Sequence, residues 1–245
     1  MYADVILDSL TVSLAGAVLS LDRTAAFQTM VSRPIVTAPI IGYLIGSPWT
    51  GLLAGMALEL LFIGDPPVGA YVPVHETGLS VLVTAMAVTA VKAAGASAPL
   101  GQRGSMVQAM LVIPAVILVA LPVAKLYQKA DSVTRGFNSR IFRRVEENVA
   151  SGRQVNVFRE NLLGLVPFFL TNLITVFATS FVLMSAVYAA SSVFTPDELM
   201  VPAFAGCLVL GLASAYNALE TGRGIYIFAF SGFLATILWV FVRGI

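Results

Sequence analysis

The sequence has little charge, one histidine and one cysteine, and these scarcities exclude several classes of protein. Only 11% of its 245 residues are charged, whereas soluble domains carry about a quarter. The formal net charge of +1 excludes nucleic-acid binding by bulk electrostatics. The single cysteine, Cys207, cannot form an internal disulfide, and its apolar surroundings indicate a buried thiol rather than a metal ligand.

The motifs that bind nucleotides and metals are also absent from the sequence. It contains no Walker loop, no H-E-x-x-H, no C-x-x-C and no G-x-G-x-x-G. We therefore predict neither a cofactor nor a bound metal.

Apolar residues dominate what is present. Hydrophobic residues make up 58% of the chain, and the mean hydropathy is +0.90. A helix needs roughly 20 apolar residues to cross the hydrocarbon of a bilayer, and several charge-poor stretches are long enough. The predicted fold is all-α: a polytopic transmembrane bundle. The charge-poor stretches are Val5–Leu21, Ile35–Gly46, Gly51–Gly64, Leu79–Val91, Met106–Ala124, Leu162–Ala190, Met200–Ala215 and Ile225–Val242.

Two adjacent stretches, Ile35–Gly46 and Gly51–Gly64, are too short to cross. They predict a broken or re-entrant hairpin, because interrupted helices persist in lipid only when they are buried in protein or line a wet cavity. In transporters such breaks mark the substrate site. The alternative is a short interfacial hairpin without a function.

Polar residues gather at the break that follows this hairpin. Glu59 lies inside an apolar helix, Asp65 precedes two prolines, and His75 and Glu76 come next. A charge near the bilayer centre costs about 2.5–3.5 kcal/mol, so Glu59 must be paired, neutral or facing a cavity. We interpret these side chains as ligands for a neutral, hydroxyl-rich molecule, because a carboxylate accepts hydrogen bonds from two hydroxyls at once. The alternatives are a buried pair of Glu59 with Arg33 or with the backbone amides of the break, and a purely structural histidine.

The segment Lys125–Glu160 differs from the rest, because it holds eight of the fourteen Lys and Arg residues. Positive charge favours the cytoplasmic side, and interleaved apolar residues predict amphipathic helices on the membrane surface. The alternatives are a solvated loop and an arm that contacts a partner or joins the two halves. We divide the chain into an N-terminal membrane region (1–124), this segment (125–160) and a C-terminal membrane region (161–245).

The stretch Leu21–Val81, "LDRTAAFQTMVSRPIVTAPIIGYLIGSPWTGLLAGMALELLFIGDPPVGAYVPVHETGLSV", resembles a known family. It contains an opening L-D…Q…R-P, a G-x-x-x-G helix that ends in Leu-Glu, and then G-x-x-x-x-G-A. This pattern is similar to the enzyme IIC component of the mannose/fructose/sorbose class of the bacterial phosphotransferase system. The motif covers about a quarter of the chain, and the remainder agrees mainly in hydropathy.

The resemblance implies a multi-pass sugar permease subunit of the bacterial inner membrane, not an enzyme. It implies a hetero-oligomer with a membrane IID protein that carries a hexose or amino-hexose by alternating access. Cytoplasmic IIA and IIB proteins would pass phosphate to the arriving sugar. His75 would then not be a phosphohistidine, because IIC itself is not phosphorylated.

The resemblance also implies site residues. Glu59 matches the buried glutamate of the family, Gly69 and Ala70 match its second small pair, and Gln28 matches its glutamine before Arg-Pro. Two positions depart from the mannose type: Pro67 stands where that type has an asparagine, and His75 lies near the position of its aspartate. The predicted substrate-binding residues are Gln28, Glu59, Asp65, Gly69, Ala70, His75 and Glu76. The alternatives are a membrane-embedded acid–base enzyme and a non-transporting regulatory or structural subunit.

Overall fold

The computed structural model describes residues 2–26, 28–62, 74–93 and 103–191. In these ranges every regular element is helical, which confirms the predicted fold class. The break at 63–73, Cys207 and the two last apolar stretches lie outside the described residues. The helices are α1 (Tyr2–Thr24), α2 (Pro34–Leu44), α3 (Pro48–Phe62), α4 (Glu76–Ala93), α5 (Arg103–Ala120), α6 (Ala124–Ala150) and α7 (Val157–Ser191), with a 3-10 turn at Leu121–Val123 between α5 and α6.

Four helical stretches of the described chain are long and apolar enough to cross a membrane. They are Asp4–Arg23, Glu76–Ala93, Gln108–Ala150 and Phe158–Ala190. The third runs from α5 through the 3-10 turn into α6. The helices α2 and α3 are apolar but have only 11 and 15 residues, as predicted for the interrupted hairpin.

Glycines let α2 and α3 pack backbone against backbone. A Cβ on Gly51 would collide with the carbonyl oxygen of Ala38, and a Cβ on Gly55 would lie 2.6 Å from the carbonyl oxygen of Pro34. These two glycines are the G-x-x-x-G pair of α3, a spacing that permits close helix approach. The hairpin therefore holds the C-terminal end of α3, with Glu59, beside the start of α2.

The central helix is α4, which is buried on almost every side. It runs antiparallel to α1, since Lys92 Nζ lies 2.9 Å from Asp8 Oδ2 and Arg23 donates to the carbonyl oxygen of Val74 at the other end. The hairpin α2–α3, α5, α6 and α7 also contact α4. The start of α4 is therefore a junction at which several elements meet.

The basic segment forms most of α6, the following turn and the first residues of α7. The helix α6 packs along α7: Tyr127 Oη and Thr179 Oγ1 are 2.6 Å apart, and Asn138 donates to the carbonyl oxygen of Gly164. Because α7 begins at Val157, it crosses the predicted domain boundary at residue 160. The cytoplasmic placement of this segment stays a prediction.

Candidate functional site: a guanidinium between two carboxylates

Arg33 joins three elements at the start of α4. Its guanidinium lies 2.9 Å from Glu59 Oε1 on α3 and 2.9 Å from Glu76 Oε2 on α4. Arg33 itself is the N-cap residue of α2. We call Arg33, Glu59 and Glu76 the charge cluster. Its formal charges sum to −1, and the Arg33 side chain is 36% exposed, so the cluster reaches the protein surface.

The helix termini explain why the cluster has this composition. The N-terminus of a helix carries partial positive charge, so a cation there is unfavourable and a carboxylate is favourable. Glu59 Oε2 accepts a hydrogen bond of 3.3 Å from the Ile35 amide in the first turn of α2. Glu76 is the first residue of α4. The two carboxylates thus stabilise two helix starts and also neutralise Arg33.

A buried aspartate fixes the loop that presents Arg33. Asp22 Oδ1 accepts hydrogen bonds of 2.7 Å from the amide and the hydroxyl of Thr29, and Asp22 Oδ2 accepts one of 3.1 Å from the Ser32 amide. The loop contains two non-glycine residues of positive φ, Gln28 (54°) and Met30 (65°). Such conformations persist where surrounding contacts over-determine them, and the three bonds to Asp22 supply that constraint.

His75 precedes α4 and faces a different set of elements. It is almost fully buried, and its Nδ1 accepts a hydrogen bond of 3.0 Å from the Gly78 amide, which caps α4. Its ring lies 6.0 Å from the ring of Tyr127 on α6, and the nearby Asn172 side chain on α7 acts to raise the pKa of the imidazole. Burial, followed by the positive charge of Arg23, lowers the pKa of His75 to about 4. The imidazole is therefore neutral at physiological pH.

A second ion pair lies on the same side as His75. Arg23 Nη1 is 3.5 Å from Asp131 Oδ2, and the two side chains are 13% and 4% exposed. Asp131 Oδ2 also accepts a hydrogen bond of 3.3 Å from Arg135 Nε. This pair ties the end of α1 to α6, as Tyr127 ties α6 to α7.

The structure brings together some of the predicted site residues. Glu59 and Glu76 meet through Arg33, so the pairing of Glu59 with Arg33, which the sequence offered as the structural alternative, is present. The contacts of the His75 ring are with α6 and α7 instead. Gln28 is exposed on the α1–α2 loop. Asp65, Gly69 and Ala70 lie outside the described residues, and ligand binding by all seven residues stays a prediction.

Arg33 is the residue that sequence reasoning did not place in the site. Two signals pointed to it. It is the only Lys or Arg between residues 24 and 91, a range that holds three acids. It also directly precedes the proline that starts α2, where a cation needs a counter-charge. The cluster offers carboxylate acceptors beside guanidinium donors, which suits a ligand with several hydroxyl groups.

The fold and the cluster define a polytopic helical membrane protein with a polar, partly exposed site at a helix junction. The chain matches the family described as PTS system sorbose-specific IIC component over residues 6–242. It belongs to that family of membrane-embedded sugar permease components.

A curated relative is similar over a shorter range. "Putative N-acetylgalactosamine permease IIC component 2" of Escherichia coli (strain K12) is 34% identical over 61 residues, which are 25% of this chain and 46% of that protein. The chain therefore spans under half the length of this relative.

Proposed function

We propose that the protein binds a hexose or an amino-hexose at the charge cluster and carries it across the bacterial inner membrane together with a IID partner. The family membership supports transport as the activity. The observation that carries the proposal is the position of Glu59, whose carboxylate lies inside an otherwise apolar helix and is held by Arg33 at the partly exposed end of the hairpin.

The geometry suits a neutral polyol better than an ion. Arg33 compensates one of the two negative charges of Glu59 and Glu76, and Arg23 also attracts Glu76, so a further full charge gains little there. A sugar hydroxyl donates to a carboxylate and accepts from a guanidinium N–H, and can therefore insert between the two. Hydrogen bonds to charged groups are the stronger ones, and a ligand that lacks a hydroxyl would leave a charged group unpaired.

We keep both hexose and amino-hexose as candidate substrates, because the matching family and the E. coli relative are named for different sugars. The family description names sorbose, and the E. coli relative is named for N-acetylgalactosamine. We propose that cytoplasmic IIA and IIB proteins phosphorylate the arriving sugar, so that this chain needs only to bind its substrate and to alternate its access. The acid–base enzyme alternative gains no support from His75, because its Nδ1 is occupied by the Gly78 amide.

Sugar binding by the Glu59→Gln variant tests the proposal. The wild-type chain, purified with its membrane partner, is expected to gain thermal stability from one of a panel of hexoses and amino-hexoses. The variant keeps the size of the side chain but loses its charge, and we expect its Kd for that sugar to rise about tenfold or more, because one charge-assisted hydrogen bond contributes about 1.5–3 kcal/mol.

Glu146→Gln is the matched control, since it makes the same change on the exposed surface of α6. It should bind like the wild type. A Glu59→Gln variant that binds the sugar with wild-type affinity would remove Glu59 from the site. A wild-type complex that responds to no sugar in the panel would refute the proposed substrate class.

A further inference from the structure

The central helix contains four buried hydroxyl side chains, and two of them have no hydrogen-bond partner in the described part of the chain. Thr77 Oγ1 donates to the carbonyl oxygen of Ser32, and Thr89 Oγ1 donates to that of Ala85. Ser80 Oγ and Thr84 Oγ1 have no hydrogen-bond partner among the described residues, although both residues are fully buried. A buried hydroxyl without a partner destabilises a fold, so the two call for an explanation.

These two hydroxyls follow Glu76 along one face of α4. Ser80 is four residues beyond Glu76 and Thr84 is eight, and residues four apart lie on the same face of a helix. With a rise of about 1.5 Å per residue, they lie about 6 and 12 Å along the axis from Glu76. Thr89, whose hydroxyl is satisfied, falls on a different face. The unsatisfied hydroxyls thus continue the line that starts at the charge cluster.

We propose that Ser80 and Thr84 extend the sugar site inward from the charge cluster, and that their hydroxyls exchange hydrogen bonds with those of the carbohydrate as it moves along α4. This inference rests on the proposed function. A hydroxyl both donates and accepts, so the same side chain matches sugar hydroxyls in either role. Neither residue carries charge, so neither would hold the sugar by a charge-assisted hydrogen bond.

Two substitutions separate this role from a structural one: Ser80→Ala removes the hydroxyl, and Thr84→Val replaces it by a methyl group of similar size. If the hydroxyls wait for a ligand, the sugar-free variants should melt at or above the wild-type temperature, because each substitution removes an unsatisfied group. Thr77→Val, which removes a satisfied buried hydroxyl, should melt below it. In the presence of the sugar, we expect the Kd of Ser80→Ala to rise about tenfold. For Thr84→Val we expect either a higher Kd or slower transport of the sugar.

Thr89→Val is the matched control on the same helix, and it should retain wild-type sugar binding and transport. If Ser80→Ala and Thr84→Val bind and transport like the control, the inference is wrong while the proposed function stands. If both melt well below the wild type without sugar, their hydroxyls are structural, satisfied by water, and the inference is again wrong. A wild type that binds no sugar would defeat the proposed function itself, and with it this extension.

Discussion

Residues 75 and 76 are neighbours in the chain, yet they belong to two different environments. On the Glu76 flank of α4, charged groups from α2, α3 and α4 meet at the surface, and Arg33 stays more than a third exposed. On the His75 flank, polar groups from α1, α6 and α7 meet in the interior, and Asp131 is 4% exposed. We call the Glu76 side the open flank and the His75 side, whose buried Asp131 also pairs with the exposed Arg135, the closed flank.

The difference indicates two roles for polar groups in an apolar chain. On the closed flank each group described above contacts another protein group, and a satisfied buried network specifies one arrangement of the helices. On the open flank the same kinds of groups remain within reach of a solute. We infer that the His75 flank positions the start of α4 and that the Glu76 flank uses this position to bind.

The largest effect on stability should come from Asp131→Asn on the closed flank. The substitution removes one counter-charge of the buried Arg23, which also interacts with Glu76, and breaking a buried pair costs about 3 kcal/mol or more. We expect a clear fall in the melting temperature, while sugar affinity, measured below that temperature, stays within about threefold of the wild type, a change of less than about 1 kcal/mol.

Arg135→Gln serves as the comparison, because Arg135 pairs with the same carboxylate from a position that is 44% exposed. An exposed pair contributes about 0–1 kcal/mol, so this variant should be nearly as stable as the wild type. A strong loss of sugar binding by folded Asp131→Asn would show that the two flanks act as one site.

Gly51→Ala should have the next largest effect, on the open flank. The added methyl group collides with the backbone of α2 at Ala38, so α3 must move away and carry Glu59 from Arg33. Overpacking of this kind costs about 1–3 kcal/mol, and we expect weaker sugar binding in addition to a lower melting temperature.

Gly136→Ala provides the opposite case, since a Cβ there meets nothing within 4 Å. Replacing a glycine inside an exposed helix by alanine stabilises by about 0.5–1 kcal/mol. If Gly51→Ala melts and binds like the wild type, the close contact of the two helices does not position Glu59.

Much of the open flank could be predicted from local sequence. The length of the apolar stretches indicated the two short helices, and the cost of a charge in lipid identified Glu59. The bridging role of Arg33 could not be predicted in the same way, because its partner Glu76 lies 43 residues further along the chain. A pairing between distant residues depends on the packing of helices, which hydropathy does not encode.

The closed flank was harder to predict, and the reason is the boundary of one helix. The apolar stretch begins at Leu79, whereas α4 begins at Glu76, three residues earlier. This shift makes His75 the residue that caps α4, and a capping side chain turns toward the amides of the first turn. The sequence predicted His75 in one site with Glu59. In the structure the capping conformation turns its ring toward α6 and α7.

The smallest effect should be a pH dependence that His75 imposes on stability. Its pKa in the folded protein is lowered to about 4 from the ordinary value of 6.5, because burial and the positive charge of Arg23 disfavour the cation. The unfolded chain therefore binds a proton at a higher pH than the folded one. The stability that His75 contributes is complete above about pH 6.5 and declines as the pH falls toward 4.

His75→Asn isolates this contribution, since asparagine is a favourable capping residue that does not titrate. Near pH 7.5 the variant should melt close to the wild type, and the difference should shift in favour of the variant as the pH falls from 6.5 toward 4. Melting curves of the two proteins across that range measure the difference directly. Parallel pH profiles would mean that His75 takes up its proton as readily in the folded protein as in the unfolded chain, and the closed flank would then admit solvent just as the open flank does.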